Sequence, residues 1–402
     1  SSQRLDIAFL HREQLLACFA AMPRGAVKTL ATAVALNSVC LQVLAWENSS
    51  LAQSCLVFGT PGVAEVDDCT SPSTLSNMPQ TGPIGGTWAV ELDIGIAVDG
   101  NSNVVTFWFG GCDSTSISLG TMTTPVGAAV LDGKLYVACF GSWPTPTGDS
   151  GLAVIDIASK RLESTYSFGD ARMHVHNVYA FDYLGKKEIF VATIGNPWVG
   201  PIPGHGLSRF DQTSKAFVLE TTSAQLSVRS AKQQHDGSIS VLTQESAGHA
   251  TKLARLEAKD NHLEAVAQIT LPPRPHGGDG GADVVLGFSA DTLFVTDRQD
   301  GQSPGKLYYY SYNADAGFVM QNVRDMGVVP RYTVALENGD MVSCNQNGND
   351  LSVYKGLALA PTDMSIQEQR ITTVTSPMFF MQTSKVKSAI SKSTPGAGSI
   401  II

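Results

Sequence analysis

Five stretches of this chain repeat the same order of strands and turns at a spacing of about 50 residues. Each stretch starts at a strand entry that is usually polar, and continues through an apolar strand, a tight turn and a second apolar strand. The five stretches are 125–137, 176–191, 229–241, 283–295 and 331–342. A repeat built of strands alone cannot bury both of its faces, so it must stack on its neighbours. This pattern predicts an all-β propeller with four-stranded antiparallel blades.

The turns and the ends of the repeat region indicate how many blades to expect. Four of the five inter-strand turns are Asp132-Gly133, Leu184-Gly185, Asp236-Gly237 and Asn338-Gly339, which suit tight hairpins. The repeats cover roughly 125–370, the stretch 50–124 has room for one more blade and a strand, and 371–383 has the pattern of a further strand. An early strand paired with this late one would close a seven-bladed ring over 50–383. An irregular β-sandwich is the alternative.

Composition excludes several classes of function. The net charge of −9 and the pI near 5.3 disfavour nucleic-acid binding, which needs clustered Lys and Arg. There is no Cys-x-x-Cys pair and no Cys/His spacing typical of zinc, and Cys139 and Cys344 lie in apolar strand patterns that predict buried thiols. We therefore expect neither a metal ion nor a cofactor.

The N-terminal region has the order of parts found in a secretory signal peptide. Arg24 and Lys28 follow Met22, a mostly apolar stretch extends over 29–44, and Val43 and Ala45 are small residues at a cleavage position. We expect an upstream extension and signal peptide over 1–45 and a secreted protein without a stable membrane span. A buried N-terminal helix in a cytoplasmic protein is the alternative. Residues 384–402, rich in Ser, Lys, Gly and Pro, predict a flexible tail.

Alignment of the five repeats on their turns gives two sets of equivalent positions. The first set, at the entry of the innermost strand, is Pro125, His176, Arg229, Asp283 and Arg331. The second set, at the far end of the next strand, is Phe140, Ile194, Glu245, Arg298 and Gln346. Innermost strands of a propeller stand side by side around the channel, so we expect these residues to meet at its mouth.

Four of these side chains have a chemistry that fits a site for a small anion. The guanidinium groups of Arg229 and Arg298 suit a carboxylate, a phosphate or a developing oxyanion. Glu245 and His176 can move protons near neutral pH. An ion-pair network that joins the blades is the alternative explanation for the same residues.

The repeats contain short motifs known from one family of propellers. The most specific piece runs from Pro330-Arg331 through Asn338-Gly339 and Asn345-Gln346 to Leu351-Ser352-Val353-Tyr354. Further motifs are His174-Val175-His176, Val228-Arg229-Ser230, Gln244-Glu245 and Asp297-Arg298. Over roughly 125–354 the chain resembles the lactonase-type seven-bladed β-propeller family, which includes propeller 6-phosphogluconolactonase and the fungal carboxymuconate cyclase.

The resemblance implies an enzyme that hydrolyses, or reversibly forms, a small anionic lactone without a metal. Carried over by position, the working groups are His176 (with His174 as a less favoured choice), Arg229, Glu245 and Arg298. Substrate contacts are predicted for His174, Asp283, Arg331 and Gln346. A secreted, non-catalytic propeller that binds a ligand or a protein partner is the alternative.

Overall fold

The computed structural model describes residues 54–59, 62–67, 71–75, 83–89, 94–100, 102–108, 114–142, 147–169, 173–195, 206–221, 227–244, 251–273, 281–289, 291–336, 338–372 and 379–383. The period-two pattern of the sequence appears there as 28 β-strands within these residues. In chain order the strands are β1 (Ser54–Gly59), β2 (Gly62–Asp67), β3 (Ser71–Leu75), β4 (Pro83–Ala89), β5 (Ile94–Asp99), β6 (Val104–Trp108), β7 (Ser114–Ser118), β8 (Pro125–Leu131), β9 (Lys134–Cys139), β10 (Gly151–Asp156), β11 (Arg161–Ser167), β12 (Met173–Tyr183), β13 (Lys186–Gly195), β14 (Gly206–Asp211), β15 (Ala216–Leu219), β16 (Val228–Gln233), β17 (Ile239–Gln244), β18 (Thr251–Lys259), β19 (His262–Thr270), β20 (Gly281–Leu286), β21 (Thr292–Asp297), β22 (Pro304–Asn313), β23 (Gly317–Val328), β24 (Pro330–Ala335), β25 (Met341–Asn345), β26 (Asp350–Tyr354), β27 (Gln369–Thr372) and β28 (Phe379–Thr383).

These strands pair antiparallel into four-stranded sheets. Six sheets each consist of four consecutive strands, namely β4–β7, β8–β11, β12–β15, β16–β19, β20–β23 and β24–β27. The remaining sheet is composite, because β28 pairs with β1, and β2 and β3 follow. One edge strand of each sheet lies beside its counterpart in the next, and these inner strands are β4, β8, β12, β16, β20, β24 and β28. The predicted all-β propeller with four-stranded antiparallel blades is confirmed.

The apolar core lies between the faces of neighbouring blades. For example, Tyr136 and Leu152 of one blade pack against Val191 and Phe210 of the next. Similar clusters fill the spaces between other consecutive blades. Each blade thus buries both faces only when its neighbours are present, as the repeat predicts.

Two of the predicted hairpin turns show why the sequence carries glycine there. Asp132 and Gly133 have φ angles of 50° and 70°, and Leu184 and Gly185 have 49° and 86°. Two consecutive positive φ angles define the turn type whose twist matches antiparallel strands. The turns therefore fix which strands pair within a blade.

Several predictions about the chain outside the five repeats can be compared with the structure. The stretch 50–124 supplies seven strands, β1–β7, and 371–383 contains the end of β27 and all of β28, where one strand was predicted. Cys139 and Cys344 are buried free thiols, as predicted. The predicted signal segment 22–45 and the predicted tail 384–402 lie outside the described residues. In the part of the chain that is described, no helix is long and apolar enough to cross a membrane.

Candidate functional site

A β-bulge interrupts the inner strand at an equivalent place in six blades. The register shifts across one residue in β4, β8, β12, β16, β20 and β24. The residues at these shifts are Ile84, Val126, His176, Arg229, Ala282 and Arg331. A bulge leaves its extra residue outside the ladder and re-aims the side chain. His176, Arg229 and Arg331 therefore occupy equivalent bulged positions in three blades.

This register corrects the predicted first set of equivalent positions. His176, Arg229 and Arg331 were aligned correctly, but Pro125 precedes the bulge of its strand and Asp283 follows it. The side chain of Asp283 consequently belongs to the next position, equivalent to that of Ser230 in the neighbouring blade. The error arose because a bulge changes the register without changing the apolar pattern that was aligned.

The second predicted set is also shifted in one blade. In each of three blades, the residue just before the bulge pairs with a residue near the end of the next strand. Phe140, Arg298 and Gln346 directly follow those paired residues. In the blade of Arg229 that position is held by Gln244, because Val228 pairs with Thr243. Glu245 comes one residue later and lies outside the described residues, so its catalytic role remains a prediction.

His176 is held by a hydrogen bond to the neighbouring inner strand. Its Nδ1 lies 2.9 Å from the backbone carbonyl oxygen of Arg229. A carbonyl oxygen only accepts hydrogen bonds, so Nδ1 carries the hydrogen and Nε2 has a lone pair in the neutral ring. The side chain is only partly exposed, so most of it is removed from water. The arrangement leaves Nε2 as the atom that can accept a proton.

Burial lowers the pKa of His176 to about 3, and the positive charges of Arg229, Arg298 and Arg331 act in the same direction. Like charges disfavour the protonated imidazole when they are close to it. The ring is therefore neutral near pH 7. The arginines that act on His176 belong to three different blades.

The three arginines bring positive charge to this region. Arg229 and Arg298 are 7% and 6% exposed, whereas Arg331 is partly exposed and donates a hydrogen bond from Nε to Oε1 of Gln346. Guanidinium groups are planar donors that match carboxylate and phosphate oxygens. Of the eight predicted site residues, the structure thus brings together His176, Arg229, Arg298, Arg331 and Gln346.

His174, predicted to contact substrate, is fully buried within the protein. Its ring stacks on Phe140, with the ring centroids 4.1 Å apart. Its Nδ1 lies 3.0 Å from the carbonyl oxygen of Phe140, to which it donates. His174 therefore ties β12 to the end of β9 in the preceding blade, and His176 is the better exposed of the two histidines.

The sequence reasoning missed three polar side chains of the inner strands. Tyr179, Lys232 and Tyr332 are all partly exposed, and the backbone N–H of Ala231 donates to the hydroxyl of Tyr179 at 3.0 Å. Burial lowers the pKa of Lys232, but attraction to Asp283 and Tyr332 outweighs burial and raises it overall. The sequence signal that could have identified Lys232 is its charge within the short inner strand β16, because most residues of such strands are apolar.

Comparison with known proteins shows what this fold resembles. No protein-family model matches the sequence, and no curated protein matches it significantly. Solved structures do match. A Bacteroides uniformis protein described as a "putative 6-phosphogluconolactonase" has a TM-score of 0.62 at 17% identity, covering 83% of this chain and 99% of its own. The periplasmic gluconolactonase of Pseudomonas aeruginosa has a TM-score of 0.62 at 16% identity, with coverages of 83% and 99%.

The chain therefore has the fold of the lactonase-type β-propellers, and the resemblance seen in the sequence is confirmed at the level of the fold. A streptogramin B lyase is also similar, with a TM-score of 0.51 at 9% identity over 80% of this chain and 88% of its own. Proteins of different activity thus share this fold, so the activity must be argued from the site.

Proposed function

We propose that this protein is a lactone hydrolase that acts on a small anionic lactone at the mouth of a seven-bladed propeller, with the composite sheet as the seventh blade. The observation that carries the proposal is His176, neutral and hydrogen-bonded through Nδ1 to Arg229, close to the charges of three arginines. A lactone that bears a carboxylate or a phosphate would bind to this positive region.

The proposed reaction adds one water molecule to the lactone. The oxygen of water attacks the carbonyl carbon, a nearby guanidinium such as that of Arg229 stabilises the oxyanion, and the ring C–O bond then breaks. Nε2 of His176, or the carboxylate of Glu245, accepts the proton of the attacking water and returns one to the leaving oxygen. The product is a hydroxy acid. The arginines supply the positive charge that a metal ion supplies in other hydrolases, so the proposed mechanism uses no metal.

Binding of the substrate is expected to prepare the base. A neutral imidazole with a pKa of about 3 is a weak proton acceptor. An anion bound among Arg229, Arg298 and Arg331 offsets their charges and raises this pKa. His176 would then be a stronger base in the complex than in the free protein.

Activity and binding variants test the proposal. Purified protein is assayed against neutral, carboxylated and phosphorylated lactones, with spontaneous hydrolysis subtracted. Glu245→Gln and, separately, His176→Asn show which of the two residues accepts the proton of water: loss of that residue is expected to abolish turnover with an almost unchanged thermal midpoint. Arg298→Leu is expected to raise KM for the anionic lactones. Arg370→Leu is the matched control, because Arg370 is 43% exposed on the outer strand β27. Hydrolysis of no lactone in the panel would refute the proposal.

A non-catalytic propeller that binds an anion is the second candidate. It is favoured by the low basicity of His176 in the free protein and uses the same arginines. Saturable binding of the hydroxy acids, measured by calorimetry, together with no turnover of any lactone would support it.

We also propose that the protein is secreted, with cleavage after Ala45. The proposal rests on the order of charged, apolar and small residues from Met22 to Ala45. N-terminal sequencing of protein recovered from the medium tests it. A first residue of Trp46 is expected, and retention of the protein in the cell would contradict secretion.

A further inference from the structure

One carboxylate joins three neighbouring inner strands next to the site. Oδ1 of Asp283 in β20 accepts a hydrogen bond from Oγ of Ser230 in β16 at 2.6 Å. Its Oδ2 accepts from the backbone N–H of Thr333 in β24 at 3.3 Å. The N–H of Val284 also donates to Oδ1, at 2.9 Å. Asp283 thus bridges the blades on both sides of its own.

The partners of this carboxylate are neighbours of the site arginines. Ser230 directly follows Arg229, and Thr333 lies two residues after Arg331. The carbonyl of Arg229 in turn accepts the hydrogen bond from His176. A continuous set of inter-strand contacts therefore runs from His176 through Asp283 to the strand of Arg331.

The charge of Asp283 is part of the same arrangement. The side chain of Asp283 is 7% exposed, and burial raises its pKa. The charge of Lys232 and the groups that donate hydrogen bonds to the carboxylate oppose that rise. A buried carboxylate is stable only with such partners. Removing the carboxylate of Asp283 would therefore leave its hydrogen-bond donors without an acceptor and the ammonium group of Lys232 without a nearby negative charge.

We propose that Asp283 is a positioning residue: it sets the spacing between Arg229 and Arg331 and, through the carbonyl of Arg229, the orientation of His176. Asp283 was predicted to contact substrate, but its oxygens are directed at Ser230, Thr333 and Val284. The inference rests on the proposed anion site and adds a residue that acts through its neighbours.

Two substitutions weaken this set of contacts in different ways. In Asp283→Asn one carboxylate oxygen becomes an NH2 group, which cannot accept from a backbone N–H, so either Val284 or Thr333 loses its acceptor and the negative charge near Lys232 is removed. In Ser230→Ala the bond to β16 is lost while the carboxylate and its bond to β24 remain. Because Ser230→Ala removes only a hydroxyl, it keeps the test valid if Asp283→Asn does not fold.

A buried carboxylate away from the site provides the matched control. Glu220, 3% exposed, accepts hydrogen bonds from Nε of Arg209 at 2.8 Å and from the hydroxyl of Tyr183 at 3.1 Å. Glu220→Gln is expected to lower the thermal midpoint, as is Asp283→Asn, but to leave anion binding unchanged.

The experiment measures the Kd of inorganic phosphate by calorimetry and the ¹⁵N shifts of the His176 ring by NMR, using the full chain. We expect Asp283→Asn and Ser230→Ala each to weaken phosphate binding by about tenfold and to shift the His176 ring nitrogens. The double variant should bind phosphate more weakly than either single variant, but by less than the product of the two single effects, because both changes act on one connected set of contacts.

Wild-type phosphate affinity and ¹⁵N shifts in both variants would overturn the positioning role. So would an unaltered protein that binds no phosphate, since no anion site would then need positioning. Intact phosphate binding without lactone turnover would instead refute only the proposed hydrolase function.

Discussion

The neutral state of His176 predicts a measurable dependence of stability on pH. Its pKa is lowered from 6.5 to about 3 in the folded protein, chiefly by burial. Below pH 6.5 the unfolded chain binds a proton at this residue that the folded chain does not, so the free energy of unfolding falls as the pH falls. The expected loss is about 1.4 kcal/mol per pH unit, or up to about 3 kcal/mol between pH 6.5 and pH 4.

The assay compares the natural protein with His176→Asn by urea unfolding at several pH values. The amide N–H of asparagine can still donate to the carbonyl of Arg229 but does not titrate. Other groups, including Asp283 and Lys232, are present in both proteins, so most of their contribution cancels in the difference. The natural protein should lose up to about 3 kcal/mol more than the variant on acidification. Equal losses would refute the assignment of a neutral, low-pKa His176.

Three further predictions concern the fold. Leu184 is 55% exposed and has a φ of 49°, a backbone conformation that is strained for leucine and better tolerated by asparagine. Leu184→Asn should therefore raise the free energy of unfolding in urea by about 1 kcal/mol, and a decrease would contradict this explanation. Phe210, 1% exposed, contacts the rings of Tyr166 and Phe217, so Phe210→Ala should cost about 3–5 kcal/mol in the same assay, and a loss below about 1 kcal/mol would show that the blades repack. Ending the chain before Phe379 removes β28 and exposes the edge of β1. Calorimetry should then show no cooperative unfolding and gel filtration should show self-association. A monomer with an unchanged thermal midpoint would contradict this.

The repeat and its turns were enough to predict the architecture. The spacing of about 50 residues identified blades, and dipeptides such as Asp132-Gly133 identified hairpins that the structure shows with positive φ angles. Both signals are local, since each depends on residues that are close in sequence. The pairing of β28 with β1 is not local, and only the room left at both ends of the repeats suggested it.

The site was predicted less completely because its geometry depends on register. His176, Arg229 and Arg331 were grouped correctly, since all three lie on bulges. Asp283 was grouped with them because apolar periodicity does not reveal where a strand gains a residue. His176 and His174 differ in burial and in their contacts with neighbouring blades, and these differences likewise become visible only in three dimensions.

The composite sheet has a consequence for how the protein is made. Its inner strand, β28, is the last described segment to leave the ribosome, whereas its partner β1 is the first. Earlier blades can assemble during translation, but the ring stays open until synthesis of β28 is complete. A nascent chain that pauses before that point presents an unfilled strand position, which a chaperone or the final strand of another copy can occupy.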